Sequence, residues 1–162
     1  MRVAVIGAGS FGTVLADIAA HNRCVVRIYA RRTDLAEEIN LHRRNTRYHP
    51  GLELHDSIHA ASDLREVVHE ADLVLLSVPS KSMDHVCSDL AQVIAEETVL
   101  LSTTKGIRSD GFKLMSQVIS ERLPDHPIGV LSGPNLAHEV AERHLTASVV
   151  ASESPIVRKL TR

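Results

Sequence analysis

The chain has 162 residues, of which 44% are hydrophobic, 23% charged and 2% aromatic. This length and composition suit one domain with an aliphatic core and exclude a mainly disordered chain. No apolar run approaches the roughly 20 residues of a membrane-spanning helix. No cleavable signal pattern follows Met1, so we expect a cytoplasmic protein without an integral membrane segment. The formal net charge of -2 argues against a general nucleic-acid-binding surface.

The cysteines and histidines of the sequence predict no metal site. Cys24 and Cys87 lie in apolar surroundings and form no CxxC pair, which is typical of reduced core thiols in a cytosolic protein. His138 and His144 lie on different sides of any helix that contains both, and the HExxH pattern is absent. We therefore nominate no metal ligand.

Short apolar runs rich in β-branched residues alternate with segments of helical periodicity. The predicted strands are residues 3–6, 25–29, 73–78, 99–101 and 128–131. The predicted helices are residues 11–21, 34–42, 64–69, 82–95, 112–122 and 136–143. Because the strands are almost continuously apolar, we expect them to be buried on both faces, as in a parallel sheet covered by helices on either side.

Two segments interrupt this alternation. Residues 43–61 form a long excursion with room for one short strand, and such excursions in compact α/β domains are often functional. Later, an extended run at residues 145–152 precedes Pro155, and proline is favoured in the first turn of a helix. A helix is therefore expected to begin near Ser154. Because the sequence stops within about two turns of it, we expect the fold to be truncated at its C-terminal end.

The segment G-A-G-S-F-G at residues 7–12 matches the phosphate-binding pattern G-x-G-x-x-G. It follows the first predicted strand and opens the first helix, which is the context that the pattern requires. Gly7 allows the tight turn, Gly9 lets the backbone approach a pyrophosphate, and Gly12 lets helix and strand pack closely. The sequence therefore predicts an α/β domain over residues 1–162: a Rossmann-like, doubly wound, mostly parallel sheet with helices on both faces.

The end of the second strand indicates which dinucleotide is bound. Ser10 and Phe11, inside the glycine turn, are predicted to face the cofactor. An acidic residue at the end of the second strand accepts ribose hydroxyls of NAD, whereas an arginine accommodates the 2′-phosphate of NADP. Arg31 and Arg32 occupy this place, and Asp34 follows where a helix cap is expected. The predicted cofactor is therefore NADP(H), with NAD(H) left open.

Ligands of open α/β sheets bind outside the carboxyl ends of the strands, so residues that follow strands are the next candidates. Pro79 either forms a rigid wall beside the cofactor or belongs to a simple loop. Lys105 either meets an anionic or carbonyl oxygen or is an ordinary solvated lysine. Asn135, at an expected helix start, either contacts a ligand or caps the helix. The sequence pattern alone leaves each pair of interpretations open.

Taken together, these segments resemble the bacterial NAD(P)-dependent glycerol-3-phosphate dehydrogenase family. The similar pieces, in chain order, are residues 6–13, 31–32, 45–51, 71–72, 78–80, 104–107 and 131–140. Their combination is far more specific than the glycine pattern alone. The resemblance implies reduction of dihydroxyacetone phosphate to sn-glycerol 3-phosphate by hydride transfer from the nicotinamide, which supplies glycerophospholipid synthesis.

The resemblance also implies roles for individual residues. By position, it implies cofactor contacts from Ser10, Phe11, Arg31, Arg32, Tyr48, Lys105 and Ala137, and substrate contacts from Lys105, Gly133 and Asn135. Lys105 is expected to orient or polarise the substrate. Two positions depart from the family: Phe11 replaces the usual tryptophan, and Asn135 stands where serine or threonine is common.

The family further implies a second, mostly helical domain that carries the proton-donating lysine. That domain is missing from these 162 residues, so we expect a chain that binds cofactor and is catalytically impaired. The implied partners are the small-molecule substrate and no nucleic acid, with a homodimer left open for the intact protein.

Three other functions stay open on the sequence. A non-catalytic NADP(H)-binding or redox-sensing module is disfavoured by the unfinished last helix. Another β-hydroxyacid or ketoacid reductase is disfavoured by the segments around Lys105 and Gly133. Nucleic-acid binding through Arg43, Arg44 and Arg47 is disfavoured by the negative net charge and by the lack of aromatic stacking residues.

Overall fold

The computed structural model describes residues 1–161. Its strands are β1 (Arg2–Ile6), β2 (Val25–Tyr29), β3 (Ile58–Ala61), β4 (Leu73–Leu76), β5 (Val99–Ser102), β6 (Ile107–Arg108), β7 (Lys113–Leu114), β8 (Ile128–Ser132) and β9 (Val149–Ala151). Its α-helices are α1 (Ser10–His21), α2 (Thr33–His42), α3 (Leu64–Val68), α4 (Met83–Leu90), α5 (Met115–Arg122), α6 (Ala137–Ala141) and α7 (Pro155–Leu160).

Seven strands form one sheet in the order β3-β2-β1-β4-β5-β8-β9. All neighbours are parallel except β8 and β9, which are antiparallel. The prediction of a doubly wound, mostly parallel sheet is therefore confirmed. The chain starts in the middle at β1, builds outward through β2 and β3, and then returns to the other side of β1 with β4. The gap between the carboxyl ends of β1 and β4 is the topological switch point, where open α/β sheets bind ligands.

The two faces of the sheet are covered by separate hydrophobic clusters. Along β1, Val3 and Val5 point into the cluster beneath α1, α2 and α7, whereas Ala4 and Ile6 point into the cluster beneath α3, α4 and α5. Since a strand covered on both faces has no polar side, this arrangement explains why residues 3–6 and Leu73–Leu76 are apolar throughout. All four residues of Leu73–Leu76 are buried.

The helix predicted at residues 112–122 is wrong at its start. The chain instead forms a short antiparallel hairpin from β6 and β7, joined through a 3₁₀ turn at Asp110–Phe112. Gly111 has φ 75° and Phe112 has φ 51°, and these left-handed values cannot belong to a right-handed helix. The helix therefore begins at Met115.

The other segment boundaries differ less. The α-helix predicted at residues 82–95 ends at Leu90. The chain after it forms turns whose backbone N–H groups donate to carbonyls three and four residues earlier. Of the extended run at 145–152, Val149–Ala151 forms a strand. The long excursion contains one short strand, β3, and α7 begins at Pro155, as the sequence predicts.

Neither cysteine is in a disulfide. Cys87 lies inside the second cluster, where burial raises the pKa of its thiol to about 12, and Cys24 is half-buried. No helix within residues 1–161 is long and apolar enough to span a membrane. The same residues hold no group of three or more His, Cys, Asp or Glu side chains that could bind a metal ion.

Candidate functional site

A crevice with two lobes lies over the switch point. Both lobes are bordered by Gly9, Ser77, Val78 and Pro79, which follow β1 and β4. The β5-side lobe, of about 370 Å³, is lined by residues that include Ser10, Phe11, Thr104, Lys105, Asn135 and Ala137. The β2-side lobe, of about 480 Å³, is lined by residues that include Arg31, Arg32, Asp34, Glu38, Arg47 and Tyr48. Volumes of this size are typical of small-molecule sites.

The glycines of the first turn differ in their surroundings. Gly7 has φ 114°, and a Cβ atom there would lie 2.5 Å from the carbonyl oxygen of Ser77. A Cβ atom on Gly12 would lie 2.0 Å from the carbonyl oxygen of Gly7, so this glycine is needed for the close packing of α1. Around Gly9, by contrast, no heavy atom of the described residues other than its chain neighbours lies within 4 Å of where a Cβ would stand. Gly9 therefore leaves its backbone open to the crevice.

The start of α1 is suited to a phosphate group. Gly9 is the N-cap, and no side chain within residues 1–161 caps this helix end. The first N–H groups of α1 are consequently available to an anion, and the helix dipole favours negative charge there. With the open backbone at Gly9, this start of the helix fits the pyrophosphate of a dinucleotide.

The long excursion is docked onto the glycine turn by two side chains. Asn45 is completely buried, and its amide donates hydrogen bonds to the carbonyl oxygen of Ala8 at 3.1 Å and to Oγ1 of Thr13 at 2.8 Å. Nε2 of His49 lies 2.8 Å from the carbonyl oxygen of Ser10 and 3.1 Å from its hydroxyl. No role for Asn45 or His49 followed from the sequence pattern. The only available signals were the length of the excursion and its resemblance to the family.

The β2-side lobe is rich in charged groups. Arg31 and Arg32 follow β2, while Arg47 and Tyr48 reach the lobe from the excursion. Nε of Arg32 donates to Oδ1 of Asp34 at 2.9 Å, and the second nitrogen of its fork pairs with Oδ2. This pairing lowers the pKa of Asp34 and raises that of Arg32. The interpretation of Asp34 as a helix cap is wrong, because the N-cap of α2 is Arg32 and Asp34 lies inside the first turn.

In the β5-side lobe, Lys105 supplies the one titratable side chain of the lining among residues 1–161. Its Nζ lies 3.4 Å from the carbonyl oxygen of Gly133 and donates to it. The loop before Lys105 is fixed by Thr104, whose hydroxyl donates to the carbonyl oxygen of Val78 at 2.7 Å. An ammonium group is thus held where the carboxyl ends of two strands meet.

Asn135 is placed differently from the predicted helix cap. The helix begins at Ala137, and Asn135 is only 4% exposed, with its Nδ2 donating to Oγ of Ser148 at 2.9 Å. Its Oδ1 is buried and has no hydrogen-bond partner within residues 1–161. The capping interpretation is wrong, because the side chain is turned toward Ser148 and the lobe. The predicted substrate contact stays a prediction.

Most predicted site residues line the crevice, and two do not. Gly12 lies beneath the turn, and Gly133 lies beside the lobe with φ 148°. A Cβ atom on Gly133 would come within 2.4 Å of the carbonyl oxygen of Ala147, so this glycine is required by packing. Arg47, which the sequence offered only for a disfavoured nucleic-acid-binding role, shares the β2-side lobe with Arg31.

The sheet order, the glycine turn at the switch point and the two-lobed crevice define a dinucleotide-binding α/β domain of the dehydrogenase kind. Comparison with known proteins narrows this class. Residues 2–157 match the family model described as NAD-dependent glycerol-3-phosphate dehydrogenase N-terminus, and the chain belongs to this family. The resemblance drawn from the motifs and the nicotinamide dinucleotide as cofactor class are thereby confirmed.

Individual relatives agree with this assignment. The chain is 47% identical to the glycerol-3-phosphate dehydrogenase [NAD(P)+] of Saccharophagus degradans over 97% of its own length and 44% of the relative's. It is 46% identical to that of Teredinibacter turnerae, over 94% of the chain and 45% of the relative. The crystal structure of glycerol-3-phosphate dehydrogenase from Coxiella burnetii superposes with a TM-score of 0.92 at 31% identity, covering 99% of this chain and 49% of that one. The chain thus spans less than half the length of these relatives.

Proposed function

We propose that this chain is the cofactor-binding part of an enzyme that reduces dihydroxyacetone phosphate to sn-glycerol 3-phosphate with NADP(H), or with NAD(H). The observation that carries the proposal is the placement of Lys105 in a lobe that adjoins the open backbone of Gly9, in a chain of this family. In a cofactor that spans both lobes, Gly9 would hold the pyrophosphate and Lys105 would lie beside the reactive ring.

The residues of each lobe suit one end of such a cofactor. The arginines of the β2-side lobe match the adenosine end, where a 2′-phosphate adds negative charge. Phe11, Pro79 and Ala137 give the β5-side lobe the apolar surface that a planar ring requires. When bound there, a reduced nicotinamide supplies a hydride.

Lys105 and Asn135 are the polar groups that would orient the substrate. The ammonium group of Lys105 stabilises negative charge on a carbonyl or phosphate oxygen. The unpartnered Oδ1 of Asn135 is an acceptor for a substrate hydroxyl. Reduction of a ketone also needs a proton donor near the oxygen. Because Lys105 is held by the carbonyl of Gly133, we assign it orientation and polarisation of the substrate. We assign proton donation to the part of the intact protein outside these residues.

A turnover comparison tests this division of labour. The 162-residue chain is assayed with NADPH and dihydroxyacetone phosphate beside a fusion to the C-terminal remainder of the Saccharophagus degradans relative. Both proteins are expected to bind NADPH, and only the fusion is expected to oxidise it at a substantial rate. In the fusion, Lys105→Met should reduce turnover strongly, whereas the exposed Lys81→Met should leave it unchanged.

Three results would contradict the proposal. Comparable turnover by both proteins would show that the chain needs no further proton donor. Reduction of a different ketone, with none of dihydroxyacetone phosphate, would refute the substrate. Failure of the chain to bind either cofactor would refute the cofactor-binding role.

The cellular setting belongs to the same proposal. Free thiols at Cys24 and Cys87 support a reducing compartment such as the cytoplasm. A homodimer of the intact protein stays a prediction, which sedimentation of the fusion would test.

A further inference from the structure

Three arginines share the β2-side lobe, and they differ in how their charges are used. Arg32 is bound through two nitrogens to the carboxylate of Asp34. Arg31 and Arg47 have no carboxylate within ion-pair distance among residues 1–161. Among the described residues, two guanidinium groups without an acidic partner therefore border the lobe, that of Arg31 after β2 and that of Arg47 in the excursion.

The place of Arg47 is fixed by its neighbours. The preceding residue, Thr46, donates from its backbone N–H and its hydroxyl to Oε1 of Glu38 on α2, at 2.9 and 2.6 Å. These bonds lower the pKa of Glu38 and engage its carboxylate with the excursion. On the other side, the guanidinium carbon of Arg47 lies 5.7 Å from the ring centre of Tyr48. Arg47 is thus anchored beside the lobe while its charge stays available.

We propose that Arg47 is a specificity-determining residue that binds the 2′-phosphate of NADP(H) together with Arg31, while Arg32 stays paired with Asp34. A phosphate monoester carries nearly two negative charges at neutral pH and is bound well by two guanidinium forks. The carboxylate of Asp34 offsets the charge of Arg32 and would repel a phosphate placed beside it. Among residues 1–161, by contrast, no carboxylate within ion-pair distance offsets Arg31 or Arg47. This inference rests on the proposed binding of NADP(H) in the crevice.

Binding of NADPH and NADH to the 162-residue chain, followed by cofactor fluorescence, tests the inference. Arg47→Ala should weaken NADPH binding about tenfold or more, since charge-assisted hydrogen bonds are lost. NADH binding should change less than about twofold, because NADH lacks the phosphate. Arg31→Ala should show the same selectivity, and Arg47→Lys should retain part of the affinity. Arg44→Ala is the matched control, since Arg44 is an exposed arginine of the same segment outside the crevice lining.

The outcomes separate this inference from the proposed function. Unchanged NADPH binding in Arg47→Ala, or equal losses for both cofactors, would overturn the role of Arg47 in reading the phosphate. A larger selective loss in Arg32→Ala than in Arg47→Ala would overturn the division between the three arginines. In these cases the wild-type chain still binds both cofactors and the proposed function stands. Failure of the wild-type chain to bind either one would overturn both.

Discussion

At the scale of single residues, Gly9 and Gly12 belong to one motif but meet different physical demands. Gly12 lies where a methyl group would collide with the backbone oxygen of Gly7 at 2.0 Å. Gly9 has φ -82°, which any residue adopts, and open space around its missing side chain. Packing therefore accounts for Gly12, whereas for Gly9 we predict that a ligand approaching the backbone requires the glycine.

This difference predicts opposite effects of two alanine substitutions. Gly12→Ala should destabilise the chain by about 3 kcal/mol, because a backbone carbonyl cannot yield as a side chain can. Gly9→Ala should leave the free energy of unfolding within about 0.5 kcal/mol of wild type, yet weaken NADPH binding about tenfold or more, because the methyl group occupies the phosphate cradle. Urea unfolding and cofactor titration of both variants check this. A stable Gly12→Ala, or a Gly9→Ala that binds normally, would contradict the assignment.

The sequence could predict the motif glycines because each follows from local spacing. It could not predict that Gly133 is required by packing, since its constraint comes from Ala147 on a later segment. Asn135 shows the same limit: local pattern favours a cap, but Ser148 draws the side chain away from the helix end.

At the scale of elements, the excursion between α2 and β3 was predicted in its extent but not in its contacts. The sequence predicted its length and its one strand from the break in periodicity. The contacts that dock the excursion onto the glycine turn could not be predicted, because the hydrogen bonds of Asn45 reach residues 32 and 37 positions earlier in the chain. The start of α5 was misplaced for a local reason, since left-handed conformations at Gly111 and Phe112 interrupt an otherwise helical pattern.

The docking of the excursion predicts a coupling between Asn45 and the cofactor. Asn45→Ala removes two hydrogen bonds and should cost about 2 kcal/mol of stability. It should also weaken NADPH and NADH alike, about fivefold, because the glycine turn loses its support. The matched control is Asn40→Ala, which removes two bonds of 2.8 Å between α2 and Ala60, outside the crevice lining. Equal weakening of cofactor binding in both variants would show that lost stability alone is responsible.

At the scale of the whole molecule, one buried carboxylate joins three distant segments. Asp17 on α1 is 2% exposed; it accepts from the backbone N–H of His55 at 2.9 Å and from the guanidinium group of Arg143 at 2.8 Å. His55 lies in the excursion, and Arg143 follows α6, which begins beside the β5-side lobe. The carboxylate therefore holds the elements of both lobes against the same helix. No local pattern could predict a contact across 126 residues.

The strength of this connection can be separated from backbone strain at Arg143, whose φ of 62° favours glycine. Arg23 also has φ 62° and makes no side-chain hydrogen bond or ion pair with a carboxylate among the described residues, so it is the matched control.

Arg23→Gly should be about 1 kcal/mol more stable than Arg23→Ala, because glycine relieves the strain. Arg143→Gly should likewise be more stable than Arg143→Ala. Both Arg143 variants should be about 2 kcal/mol less stable than the corresponding Arg23 variants, since Asp17 loses the guanidinium of Arg143 and keeps the N–H of His55. Asp17→Asn keeps an acceptor for the N–H of His55 but loses the ion pair with Arg143. Its free energy of unfolding in urea should therefore fall by a similar amount. If Arg143→Gly proves as stable as Arg23→Gly, the ion pair contributes nothing to joining the lobes.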